Sequence, residues 1–166
     1  MSKNFYDQLA SMTVIVADTG DINSIEKFRC GTPAILSYIA LEESLDIFEN
    51  LDLSSVRQKS IDLTAFFIEL VESMCNSHGL SLASPRDSSV RGSQVCFSSA
   101  HGWPIMQALI AHGVIGDFRA PDILRFGFAP LYIGYEDVWI AVALLADILA
   151  SGTWRDSIYA TRKLVT

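Results

Sequence analysis

The chain has 166 residues, half of them hydrophobic and only 19% charged, with a mean hydropathy of +0.31 and a formal charge of −7. That is one domain of ordinary size with enough apolar material for a core of its own, and oily enough that part of its surface is expected to meet another domain or subunit. The acidic balance, with 12 basic residues scattered along the chain, lacks the electrostatic footprint of a nucleic-acid binder.

Residues 1–10 carry Lys3 and Asp7 and contain no apolar signal core, so no export signal is read and a cytoplasmic location is expected. The first clear element follows Gly31-Thr32-Pro33, where Thr32 can cap and Pro33 can take the first helical position. A helix to about residue 50 is expected, with Ile35, Tyr38, Ile39, Leu41, Leu45 and Phe48 on a buried face and Glu42, Glu43, Asp46 and Glu49 on a wet one. Leu53-Ser54-Ser55 opens a second helix whose apolar positions run to His78-Gly79. The period then changes: Leu80-Ser81-Leu82 and Gly92-Ser93-Gln94-Val95-Cys96-Phe97 predict strands around the polar turn Ser84-Pro85-Arg86-Asp87-Ser88-Ser89. A short helix over 103–112, strands over 114–119 and 123–128, and a last helix over 136–150 complete the order. The richest apolar run, 138–150, is broken by Asp147 and is shorter than the roughly 20 residues that cross a bilayer, so no membrane partner is expected. The fold class expected is α/β, an α+β small domain with helices packed on a small, mainly antiparallel sheet.

Among the polar residues, Gly116-Asp117-Phe118-Arg119-Ala120-Pro121-Asp122-Ile123-Leu124-Arg125-Phe126-Gly127-Phe128 places two arginines and two aspartates among apolar neighbours. A guanidinium is a planar fork of donors that matches a carboxylate, so Arg125 is a candidate for holding an anionic small molecule. The plainer reading is that Arg125 or Arg119 pairs with Asp117 or Asp122 in a structural salt bridge. Cys30, Cys75 and Cys96 are odd in number and outside any CxxC pairing, which speaks for buried thiols rather than disulfides or zinc. His78, His101 and His112 lack metal-ligand spacing, and no metal is expected. Ser98-Ser99-Ala100-His101 sits in no Gly-x-Ser-x-Gly elbow and is read as loop.

These residues resemble the kynureninases, pyridoxal-phosphate enzymes of the aspartate aminotransferase-like group. The matching pieces, in the family's order, are Phe28-Arg29-Cys30-Gly31-Thr32-Pro33-Ala34-Ile35-Leu36, Arg57-Gln58-Lys59-Ser60, Phe67-Ile68-Glu69-Leu70-Val71-Glu72, Pro85-Arg86-Asp87, Arg91-Gly92-Ser93-Gln94-Val95, Met106-Gln107-Ala108-Leu109-Ile110, the Arg125 segment and Trp154-Arg155-Asp156.

The resemblance implies the C-terminal part of such an enzyme: a divergent lead-in over 1–31, at the end of the cofactor domain, and the small domain over 32–166. It implies hydrolysis of L-kynurenine to anthranilate and L-alanine in tryptophan catabolism, in a homodimer. It also implies that Arg125 binds the substrate α-carboxylate and that Thr32, with Gly31, contacts the cofactor phosphate; a helix start suits an anion, although Thr32 also reads as a plain N-cap. None of Lys3, Lys27, Lys59 and Lys163 sits in the surroundings the family uses for its Schiff base. The chain is therefore expected to be inactive alone and to need a lysine-bearing partner domain or subunit. The alternative is a noncatalytic, free-standing remnant serving as an oligomerisation or ligand-binding module.

Overall fold

A computed structural model describes residues 35–161; Thr32, Gly31, Cys30 and the lead-in lie outside the described residues. The chain divides into two units between Asn50 and Leu51. In the first, helix α1 covers Ile35–Asp46. The expectation of one buried face is not met, because none of its residues is buried, and Leu36 is 84% exposed. At 100° per residue the apolar positions 35, 38, 39, 41 and 45 share one side of the helix, but Glu42 and Asp46 fall among them and Leu36 lies off that side, so it is not a clean apolar stripe.

The second unit holds the core. Helix α2 (Leu53–Met74) starts at Asp52, whose carboxylate accepts from the backbone N–H groups of Ser54 and Ser55, a standard way of satisfying orphan donors at a helix start. It ends four residues short of His78, because Cys75 N–H closes on Val71 and the chain turns away through Gly79, at φ +69°. Strands β1 (Ser81–Leu82) and β2 (Gln94–Ser98), helix α3 (Gly102–Ala111), strands β3 (Asp117–Arg119) and β4 (Ile123–Gly127), and helix α4 (Tyr135–Ser151) follow. A 3₁₀ turn at Thr153–Arg155 and a short helix α5 (Ser157–Ala160) were not anticipated. The expected strand over 114–119 is cut to its last three residues. Val114 N–H is spent on Leu109 C=O as the chain leaves α3 through Gly113, at φ +94°, and so cannot join a ladder.

The four strands form one sheet in the order β1-β2-β4-β3 with every pairing antiparallel. Period-two alternation then separates its faces. Val95, Phe97, Leu124 and Phe126 point into the core with Leu63, Phe67, Val71, Met106, Leu109, Val142 and Leu145 from the helices. Phe67 centres that contact, with ring centroids 4.9–6.0 Å from Phe97, Phe126 and Phe128. Helix α4 packs on α2. At Gly102 the backbone of α3 comes so close to the β3–β4 turn that a Cβ there would stand 2.9 Å from Asp122 C=O. The expected helices-on-antiparallel-sheet architecture is present.

Candidate carboxylate-binding site

The sheet face opposite the core contains no buried residue. Register decides what meets on it. Cys96 of β2, Arg125 of β4 and Asp117 of β3 are direct partners across the ladders, and directly opposed residues share a face with Cβ atoms about 4.5–5.5 Å apart. Arg119, two residues from Asp117, joins the same face. Arg125 therefore stands in the middle of a row, flanked by a thiol on one side and a carboxylate on the other.

The guanidinium of Arg125 donates through Nη2 to Asp117 Oδ2, and Arg119 Nε lies 3.5 Å from the same oxygen. Of the two aspartates in the segment, Asp117 takes both arginines and Asp122 takes neither. The Arg125 side chain is 28% exposed, against 51% for Asp117 and 66% for Arg119. Its Nε is buried and has no hydrogen-bond partner. Hydrogen bonding and charge from Arg125, then the charge of Arg119, hold the Asp117 carboxyl below the ordinary carboxylate range. Two cations and one anion leave the cluster with one unit of positive charge, which suits a single further carboxylate.

Backbone packing fixes where Arg125 sits. Leu124 and Phe126 on either side of it are core residues, so the strand cannot slip by one residue without turning both into solvent. The β3–β4 turn, with its cis Ala120–Pro121 bond, is tied down by Ser99 N–H donating to Asp122 C=O at 2.9 Å.

Behind β2 lies a second polar arrangement that the sequence did not disclose. Arg91 is 6% exposed and donates through Nη1 to the carbonyls of Pro85 and Arg86, both at 2.7 Å, and through Nη2 to Thr64 Oγ1 at 3.2 Å. Arg57 donates to the carbonyls of Ser88 and Arg91. The polar turn before β2 is thus pinned to α2 by two guanidiniums. Runs of Ser, Pro and Asp mark a turn, but nothing in them says which distant arginine will satisfy its carbonyls.

A cleft of about 300 Å³ lies near the C-terminal end of β4, lined by Phe126, Gly127, Phe128, Ile115, Ile140 and Asp137 among others. It does not include Arg125, and Asp137 is committed to the Gly134 N–H at the start of α4, at 2.7 Å. Cys75 is buried as expected, whereas Cys96 is only half-buried.

The described residues offer no lysine free to hold pyridoxal phosphate as a Schiff base. Lys59 is the lysine among them, and its ammonium is already held by Pro130 C=O at 2.6 Å.

The described residues thus form an α+β domain whose open sheet face carries Arg125, Arg119 and Asp117. The family model for the kynureninase C-terminal domain matches residues 56–145, more than half of the chain. The chain belongs to that family. It is similar to the kynureninase of Burkholderia mallei (strain SAVP1), 51% identical over 142 residues covering 86% of this chain and 34% of the relative. The kynureninase of Pseudomonas fluorescens is 46% identical over 144 residues covering 87% of this chain and 35% of the relative. The chain thus spans about a third of the length of the curated relatives it matches. Among the described residues no helix is long and apolar enough to cross a membrane.

Proposed function

We propose that this chain supplies the substrate-carboxylate half of a kynureninase-type active site, in which L-kynurenine and water give anthranilate and L-alanine. The observation that carries the reading is Arg125: a partly exposed guanidinium, central on the open sheet face, inside the segment Asp122-Ile123-Leu124-Arg125-Phe126-Gly127-Phe128 and within the matched region. Its part is to bind and orient. A planar fork held by a strand that cannot slip fixes one end of an amino-acid substrate, and such positioning is worth on the order of a hundredfold or more in rate. Arg125 transfers no proton.

The rest of the reading follows from family membership. The Schiff-base lysine and the pyridoxal phosphate belong to a partner domain or subunit, with Gly31 and Thr32 contributing to the phosphate contact, and the complete enzyme is a cytoplasmic homodimer. The lead-in over 1–31 belongs with that cofactor domain and 32–166 with the small domain. By itself the chain binds substrate weakly and turns over none.

The test is to join this chain to the lysine-bearing two-thirds of the Pseudomonas fluorescens relative and follow anthranilate fluorescence. Kynurenine cleavage is expected, with a steep rise in KM and a lower kcat for Arg125→Ala. Near-normal kinetics in that variant would remove the assignment. If instead the chain is a free-standing binding or oligomerising module, the joined protein is inactive and the chain alone is monodisperse and melts cooperatively.

A further inference from the structure

Asp117 stands between two arginines on the open face, and its pairing with them is unequal. Arg125 engages it by a hydrogen bond, whereas Arg119 Nε lies 3.5 Å from the same Oδ2, an ion pair without a hydrogen bond. Arg125 is itself left incomplete by this arrangement: Nη2 is used, and Nε is buried without a partner. A buried donor without an acceptor is an unfavourable resting place, and the acceptor that Arg125 does have is more than half exposed. A ligand carboxylate at Arg125 would meet Asp117 as a rival for the same guanidinium.

We propose that Asp117 competes with the ligand carboxylate for Arg125, and that Arg119 takes Asp117 over when the ligand wins. This rests on Arg125 being the carboxylate-binding residue, as proposed above. The exchange conserves charge pairing. Before it, one carboxylate is shared by two guanidiniums; after it, two carboxylates each have one, and the positive excess of the cluster is neutralised. No side chain has to cross the sheet, because Asp117, Arg119 and Arg125 already share a face. Asp117 is thus a positioning residue, acting on the ligand through Arg125, and Arg119 sets how readily it lets go. Arg119 and Arg125 are not interchangeable in this scheme. Arg125 sits mid-sheet with its stem packed, whereas Arg119 is on the edge strand β3 and 66% exposed.

The experiment is a titration of L-kynurenine into the full chain, followed by amide and arginine side-chain NMR signals, for the wild type, D117N, R119Q, the D117N/R119Q double variant and R125Q. Unchanged amide spectra away from the sheet face certify folding, and D117S replaces D117N if that variant fails this check. An exposed ion pair is weak, so removing the competitor is expected to tighten binding by about two- to fivefold, with R119Q weakening the wild type by a similar factor. The decisive reading is the coupling: with Asp117 gone, R119Q is expected to have no effect, because Arg119 has no carboxylate left to take over. Weaker or unchanged binding in D117N overturns the competition. An equal loss from R119Q in both backgrounds overturns the handover, since Arg119 would then act by its charge alone. If R125Q binds like the wild type, or the wild type does not bind, the failure is of the Arg125 assignment itself.

Discussion

Gly116 is pressed against the backbone of Arg125: a Cβ built at Gly116 would stand 3.0 Å from Arg125 C=O and 2.7 Å from both Sδ and Cε of Met106. Met106 is completely buried, so its thioether end has to repack within the core, and the carbonyl belongs to the strand that carries the candidate arginine. Gly116→Ala is therefore expected to cost about 1–3 kcal/mol through overpacking, read as a lower urea midpoint with an unchanged slope. It should also shift the Arg125 side-chain NMR signals, which a mutation acting only on the core would leave in place.

The Arg91 guanidinium bridges two loop carbonyls and the Thr64 hydroxyl from a buried position. A lysine has one donor group in place of a fork and cannot reach all three. Arg91→Lys is expected to destabilise the fold by about 1.5–3 kcal/mol, the worth of a charged hydrogen bond lost in a buried site. Hydrogen exchange should show the loss concentrated in residues 84–91 and in the adjoining part of β2. A uniform loss over the whole unit would mean that the turn is not what Arg91 holds.

The order of the eight main elements and the antiparallel layer were legible in the sequence because each long element keeps its own period: 3.6 over α2 and α4, two over β2 and β4. Arg125 was legible for the same reason, since it stands out as a charge between core residues Leu124 and Phe126. Its partners were legible only in part: Asp117 was one of two candidate aspartates, and Cys96 was not foreseen. That Cys96 and Asp117 flank it depends on register across two ladders, and register is set by how Val95, Phe97, Leu124 and Phe126 share one core. The proposed salt-bridge reading and the ligand reading of Arg125 turn out to be compatible: Asp117 does pair with it, and the residual positive charge remains. Helix α1 misled because its spacing admits a stripe at 35, 38, 39, 41 and 45, while Leu36 and Ala40 fill the other side.

Cys75 lies against a cavity of about 210 Å³ lined by Val71, Leu80, Leu82 and Phe97, and burial pushes its thiol up to about 11. Each pKa unit is tenfold in thiolate, so at pH 8 it presents about a hundredfold less of the reactive form than an ordinary thiol. Alkylation with iodoacetamide, read by mass spectrometry, is expected to label half-buried Cys96 in the native protein and to reach Cys75 only at the rate of unfolding. Equal labelling of the two would mean that the α2 end opens independently of the core.

Asp52 gives the start of α2 a pH dependence of predictable sign. The hydroxyls and backbone N–H groups of Ser54 and Ser55 all point at its carboxylate, with the Ser54 hydroxyl the strongest influence, and they lower its pKa from 3.8 to about 2. A carboxylate whose folded pKa is depressed stabilises the fold wherever it is ionised in both states, above about 3.8, and that contribution fades as the pH falls toward 2. Asp52→Asn keeps a side-chain acceptor for the helix end and removes the titration. The wild type is expected to exceed this variant in stability at pH 5 and to lose the advantage between pH 4 and pH 2, measured as the difference in urea midpoints. A constant difference across that window would show that the capping hydrogen bonds do not depend on the charge of Asp52.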